Sequence, residues 1–224
     1  MTAQPIDLVI FDCDGVLVDS EPLAMRVLIE AIGRQGITLD AEHAYREFLG
    51  RSLATISKTL EDSHGAPLGD AALQSMRTDL YALFRQELKA NSGLPEILPR
   101  LGRPFCVASS SQPERIRLSL ETTGLLPHFE GNIYSSSMVE NGKPAPDLFL
   151  HAAKQMGHAP ERCLVIEDSP AGVKAARAAG MQVFGFIGGT HAEPAGLPQA
   201  LAALSPDRIF SDMQNLPDLI GSRP

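Results

Sequence analysis

Short apolar runs rich in Val, Ile and Phe recur along the 224 residues at 6–11, 104–108, 163–166, 183–187 and, more weakly, 208–210. Continuous rather than alternating hydrophobicity marks strands covered on both faces, which is the signature of a parallel sheet in an α/β protein. Helical patterns with readable punctuation lie between the runs. Ser169-Pro170 offers an N-cap and a proline at the first helical position, followed by AGVKAARAA and a stop at Gly180. Pro113 opens a second helix that Gly124 closes, and Pro146 a third that ends near Gly157. These units have the length of βα crossovers, so the fold expected is α/β with a doubly wound parallel sheet.

One stretch breaks the rhythm. From Val18 to Ala90 there is no β-like run, only helical periodicity, and an inserted all-helical unit is expected there. Leu73, Met76, Leu80, Leu83 and Phe84 follow the spacing of one buried face, with Asp70 as the N-cap. Leu23, Val27, Leu28, Ala31 and Ile32 do the same for an earlier helix that Gly33 and Gly36 terminate. NSGLPEILPRLG reads as the linker back to the sheet. The domains expected are a core of residues 1–17 and 91–224 and a helical insertion of residues 18–90.

Composition narrows the partners. The net charge is −8 and no run of basic residues occurs, which argues against nucleic acid or an anionic membrane. No apolar stretch approaches the roughly 20 residues of a bilayer span, and the N-terminus lacks the basic segment and cleavage site of a signal peptide. A cytoplasmic protein is expected. Cys13, Cys106 and Cys163 are odd in number and widely spaced, which fits neither a disulfide framework nor a zinc site.

The chemistry lies at the ends of the runs. Asp12, Ser109 and the pair Glu167-Asp168 each fall at the carboxyl end of a strand candidate, where open α/β sheets bind ligands. Asp12, Asp14, Glu167 and Asp168 brought together would repel unless a cation neutralised them. Hard oxygen ligands that leave room for water and phosphate oxygens make Mg²⁺ the natural ion. Asp12 and Asp14, separated by one residue, suit a nucleophile and an acid: one carboxylate attacks an electrophilic centre, the other protonates the departing oxygen, and Gly15 permits a sharp turn afterwards. No pair among the six histidines has metal-ligand spacing, and each reads first as a surface or helix residue; His191, beyond the run at 183–187, is the one that could approach the site. Cys13 reads as loop packing, its thiol pKa raised by the flanking carboxylates. Arg51 and Lys58 in the insertion are candidates for a substrate's distal group.

FDCDGVLVDSE, VASSS, NGKPAPDLF and VIEDSPAGVKAARAAGM resemble, in order and spacing, the four motifs of the haloacid dehalogenase-like (HAD) superfamily. The resemblance is to the branch with a small helical cap inserted after the first motif, which holds sugar-phosphate phosphatases and beta-phosphoglucomutases. It implies a Rossmann-like core and a role for each matching residue. Asp12 would form an aspartyl-phosphate, and Asp14 would be general acid and then base. Ser109 and Lys143 would hold phosphoryl oxygens, aided by the backbone N–H of Ser110. Asp168, Asp12 and the backbone carbonyl of Asp14 would bind Mg²⁺, with Glu167 a direct or indirect partner. Asp14 argues against a dehalogenase, and LVDSEPLAMR supplies no lysine for a phosphonatase. Mutases of this branch carry a histidine where this chain has Ala24 and an arginine where it has Leu53, although Arg51 lies two residues away. The expected function is therefore a Mg²⁺-dependent phosphatase of a small sugar, polyol or sugar-acid phosphate, 6-phosphogluconate among them. A beta-phosphoglucomutase-like mutase is the alternative, and a non-enzymatic phosphate-binding protein a more distant one. The expected partner is the small phosphate ester alone, on a monomer.

Overall fold

The computed structural model describes residues 5–48 and 53–221. Six strands form one parallel sheet: β1 (Leu8–Phe11), β2 (Phe105–Ser109), β3 (Ile133–Ser135), β4 (Cys163–Glu167), β5 (Gln182–Phe186) and β6 (Arg208–Phe210). Their order is β3-β2-β1-β4-β5-β6. The chain thus starts in the middle, winds outward through β2 and β3, then returns to wind the other way from β4. The reversal at β1 leaves a crevice at the carboxyl ends of β1, β2 and β4. In register, Phe11 pairs with Val107 on one side and Ile166 on the other, which brings the residues after these strands to one rim.

The strands read as unbroken apolar runs because both faces are covered. Val9, Phe11, Val107, Leu164, Ile166, Phe184 and Phe186 belong to one core cluster. Leu8, Ile10, Cys106, Ala108, Cys163, Val165 and Val183 belong to the other. The strand β3 had no clear sequence signal: it is three residues long, and of these Ile133 and Tyr134 are the only large apolar side chains.

Eleven α-helices and four single-turn 3-10 helices accompany the sheet among the described residues. Four of the α-helices form the insertion: α1 (Glu21–Gly33), α2 (Ala41–Phe48), α3 (Leu53–His64) and α4 (Asp70–Glu87). The expected faces of α1 and α4 pack on each other, with Val27, Leu28, Ala31 and Ile32 buried on one and Met76, Leu80 and Phe84 on the other. Leu23, Leu73 and Leu83 are partly buried at their edges. Asp70 is not the cap; Gly69 is, in extended conformation, and Asp70 opens the first turn, where its charge complements the helix dipole. The expected return linker instead folds into α5 (Leu94–Ile97), whose Leu94 and Ile97 are buried.

The core helices are α6 (Pro113–Thr122), α7 (Leu126–Phe129), α8 (Asp147–Gln155), α9 (Pro170–Ala178), α10 (Leu197–Ala202) and α11 (Leu216–Leu219). Ser169 caps α9 as expected, its hydroxyl accepting from the backbone N–H of Gly172 at 3.0 Å. Gly124, Gly157 and Gly180, the three stops, all have positive φ.

The two passages between sheet and insertion are stitched together. Val18 bridges to Ala90, and the backbone N–H of Asp19 donates to the Lys89 carbonyl at 3.0 Å. The buried Asn91 amide donates to the carbonyls of Gly15 and Val16 at 2.9 and 2.8 Å. Among the described residues no helix is long and apolar enough to cross a membrane.

Candidate active site

Asp12 leaves β1 one residue past its end, Ser109 closes β2, and Glu167 closes β4 with Asp168 following. All four are buried. Lys143 reaches them from the loop before α8. Its ammonium donates to Asp12 Oδ1 and to Glu167 Oε1, each at 2.7 Å, and sits 4.9 Å from the ring centroid of Phe149. Ligand oxygens of Asp12, Glu167 and Asp168 lie within 4.8 Å of one another. Three carboxylates and one ammonium leave net negative charge in a water-poor place. Burial pushes the Asp12 carboxyl well above its ordinary value, more than Lys143 pulls it down, and Glu167 and Asp168 push the same way. Burial would lower Lys143, but Asp12 and Glu167 outweigh it and raise its pKa.

The donors are hard oxygens with negative charge to spare, which is the chemistry of a Mg²⁺ site. Glu167 is the least free of the three: Oε1 accepts from Lys143, and Oε2 accepts from the Ser169 amide at 2.8 Å and hydroxyl at 2.9 Å. A Cβ on Gly172 would overlap its carboxylate, so only glycine lets the first turn of α9 pass so close. Asp12 and Asp168 keep more open lone pairs.

Asp14 turns elsewhere. Its Oδ1 accepts from Ser20 Oγ at 2.7 Å and from Arg115 at 2.8 Å, and its Oδ2 accepts from Ser111 Oγ at 2.6 Å. Burial would raise this carboxyl, but the Arg115 guanidinium and the hydrogen bonds from Ser111 and Ser20 outweigh it and hold it below the ordinary value. Arg115 lies 5.4 Å from the ring centroid of Phe84, so a core helix, the second aspartate and the insertion meet at one side chain. Gly15 follows with φ of 79°, and any Cβ there would overlap Asp168.

Ser109 Oγ accepts from the Ser111 amide at 3.1 Å, and Ser110 is exposed at the crevice rim. Arg51 lies outside the described residues. Lys58 does not face the site: its side chain is 77% exposed and lies 3.9 Å from Asp62, so it belongs to the solvent face of α3. Cys13 is buried between the aspartates, and burial, then Asp14 and Asp12, raise its thiol.

Five residues that the sequence reading did not assign stand here: Asp19, Ser20, Glu21, Ser111 and Arg115. Glu21 opens α1. Burial first, then Asp14 and Asp168, lift its carboxyl to about 7. His191, expected first as a surface residue, instead approaches the site and is buried, with Nε2 2.8 Å from Asp168 Oδ2. Burial would lower its pKa, but Asp168 and Asp19 outweigh that and raise it to about 10.

Residues from the four sequence motifs meet at this rim, where three carboxylates surround one buried lysine, whereas Asp14, expected to gather with them, is held apart by Ser20, Ser111 and Arg115. The model of the family described as haloacid dehalogenase-like hydrolase matches residues 6–180, and the chain belongs to that family. It is an enzyme of the phosphatase type found there. It is 32% identical to 6-phosphogluconate phosphatase of Escherichia coli over 97% of this chain and 96% of the relative. Fructose-1-phosphate phosphatase YqaB of the same organism is 30% identical over 77% and 92%. Among solved structures, a conserved haloacid dehalogenase-like protein of unknown function from Agrobacterium tumefaciens superposes with a TM-score of 0.86 at 36% identity, covering 96% of this chain and 97% of that one. A HAD family hydrolase from Deinococcus radiodurans, crystallised with bound phosphate and sodium, gives 0.79 at 34%, over 95% and 93%.

Proposed function

We propose that this chain hydrolyses a small sugar, polyol or sugar-acid phosphate, with 6-phosphogluconate the leading candidate, through an aspartyl-phosphate on Asp12. The observation that carries the reading is the Lys143 ammonium buried on Asp12 at the strand crevice, with Asp168 beside them and Asp14 two residues further along. The full-length similarity to the E. coli 6-phosphogluconate phosphatase supports the substrate class.

Asp12 and Asp168, with the backbone carbonyl of Asp14, would hold Mg²⁺, and Glu167 would anchor Lys143 behind them. When bound, the ion neutralises the carboxylates and draws electron density from the phosphoryl oxygens. A carboxylate oxygen of Asp12 attacks phosphorus and the bond to the substrate oxygen breaks. Asp14, once it has left Arg115, Ser111 and Ser20 and taken up a proton, gives that proton to the departing oxygen. Asp14 then accepts a proton from water, whose oxygen attacks phosphorus and frees Asp12 and inorganic phosphate. Lys143, the Ser109 hydroxyl and the Ser110 N–H stabilise the equatorial oxygens, where charge resides in the transition state. Residues 18–90 act as a cap that excludes bulk water and reads the rest of the substrate, with Arg51 as a distal contact.

The test is phosphate release across sugar, polyol and sugar-acid phosphates, with Mg²⁺ or with EDTA, and glucose 1-phosphate isomerisation in parallel. Metal-dependent release, fastest on a sugar-acid or polyol phosphate, is expected. Isomerisation faster than release would replace the phosphatase by the mutase, and phosphate binding without turnover would remove catalysis altogether.

A further inference from the structure

His191 belongs to neither the nucleophile nor the phosphate contacts, yet it is buried and joins two parts of the molecule. Its Nε2 donates to Asp168 Oδ2 at 2.8 Å, while its Nδ1 is 4.0 Å from Asp19 Oδ1. Nδ1 is buried and makes no hydrogen bond. The adjacent Thr190 holds the same Asp19 twice, the hydroxyl donating to Oδ2 at 2.7 Å and the amide to Oδ1 at 3.2 Å. Asp19 sits in the outgoing passage to the insertion, its own N–H paired with Lys89 of the returning passage. The loop is closely packed at its two glycines: a Cβ on Gly189 would overlap the His191 ring, and one on Gly188 would overlap the Ser211 carbonyl.

We propose that His191 is a positioning residue for the metal ligand Asp168, and that the Thr190-His191 loop ties this ligand to the cap hinge at Asp19. The proposal rests on the reading of Asp168 as a Mg²⁺ ligand. Asp168 has freedom about two side-chain torsions, and a donor fixed on one oxygen restricts which way the other faces. Partners behind a metal ligand set its orientation and affect affinity by roughly 10–100-fold. Because the same loop grips Asp19, settling Asp168 on the ion also settles the two passages, and the coupling is reciprocal. Mg²⁺ binding therefore stiffens the hinge about which the cap moves.

The experiment needs no substrate. MgCl₂ is titrated calorimetrically into the full chain, and hydrogen exchange is followed in peptides covering residues 15–20 and 87–91, with and without Mg²⁺. In the wild type, Mg²⁺ slows exchange in both passages. His191→Ala is expected to bind Mg²⁺ about 10-fold or more weakly, and to lose the Mg²⁺ response of the passages even at saturation. His191→Gln, whose amide N–H can replace the Nε2 donor, restores most of the affinity. Asp19→Ala keeps the Asp168 contact, so it binds Mg²⁺ within a few-fold of wild type but loses the response of the passages; it tests the link if His191→Ala does not fold. Affinity in His191→Ala within about two-fold of wild type, or a hinge indifferent to Mg²⁺ in the wild type, overturns the proposal. Asp168→Asn separates the two failures. If it binds Mg²⁺ as well as the wild type, or if the wild type binds none, the metal reading falls and this inference with it; if Asp168→Asn is impaired and His191→Ala is not, the inference alone falls.

Discussion

Lys143→Met isolates the electrostatic problem at the rim. The substitution keeps most of the side-chain volume beside Phe149 and removes the one ammonium that pairs with both Asp12 and Glu167 at 2.7 Å. Breaking a buried pair by deleting one partner costs about 3–5 kcal/mol, because an uncompensated charge remains. Protonation sets a ceiling on that cost. Once one carboxyl takes a proton it can donate to its neighbour, and the price of that proton is about 1.4 kcal/mol for each pH unit above its ordinary value. From the ordinary 3.8 of Asp12, the ceiling is about 5 kcal/mol near pH 7.5 and about 1.6 near pH 5. The sign follows from the direction of the shift. A carboxyl held above its unfolded value contributes stability that is complete below that value and is lost as pH rises through the folded one. The deficit of the variant must therefore widen from acid to neutral. Thermal unfolding in EDTA is expected to show a Tm lower by roughly 6–20 °C near pH 7.5, at about 2–4 °C per kcal/mol for a chain this size, and much less near pH 5. Saturating Mg²⁺ should recover part of the loss near pH 7.5. A Tm deficit that is equal at both pH values and unmoved by Mg²⁺ would refute the reasoning and make Lys143 a packing residue.

Other expectations follow from the same geometry. Asp12→Asn should abolish phosphate release while the Tm changes little, and retained turnover would remove Asp12 from the nucleophile role. Asp14→Asn should slow formation and breakdown of the phosphoenzyme alike in quenched-flow measurements; an unchanged rate for both would remove its acid and base roles. Gly172→Ala should lower stability by about 2 kcal/mol or more in urea unfolding, because the new methyl overlaps the Glu167 carboxylate, whereas Gly33→Ala, with open space at the end of α1, should be neutral or gain up to about 1 kcal/mol. The Glu21 carboxyl, lifted to about 7 from an ordinary 4.5, favours the fold fully below 4.5 and loses that contribution as pH passes about 7. In EDTA, Glu21→Gln should therefore gain on the wild type between those pH values, by at most about 3 kcal/mol, and a constant difference would show that Glu21 titrates normally.

What the sequence revealed of the fold depended on how far each signal reached along the chain. Strands covered on both faces announce themselves because nearly every residue between their ends is apolar, so β1, β2, β4 and β5 were placed within a residue or two of their observed bounds. The three-residue β3 has too little pattern to separate from the loop around it. The helices of the insertion were legible as faces, since Met76, Leu80 and Phe84 keep a helical period, whereas the identity of a cap was not: Asp70 and Gly69 differ by one position in a run where either reading satisfies the pattern. Buried Leu94 and Ile97 looked like linker because four residues hold a single turn and the flanking glycine and prolines dominate the composition.

The site divides in the same way, and the division has a physical cause. Residues tied to strand ends could be located by position alone: the parallel register carries Asp12, Ser109 and Glu167-Asp168 to one rim whatever the loops do. Residues that act through loops could not. Three consecutive serines follow the β2 run, and only the turn decides that Ser109 points inward, Ser110 to solvent and Ser111 to Asp14. Arg115 is a helix residue whose partner lies 101 positions earlier, and Asp19 meets Thr190 across 171. No local periodicity encodes such pairs; they exist because the helical insertion leaves and rejoins the sheet beside the β5 loop. Asp14 is the clearest case. Its spacing from Asp12 suggested two carboxylates doing complementary chemistry, but nothing in the motif said that an arginine and two serines would hold it as a carboxylate away from the metal cluster. For Asp14 to deliver a proton it must first leave those donors, so the energetic barrier to that release belongs to Arg115, Ser111 and Ser20 as much as to the aspartate itself.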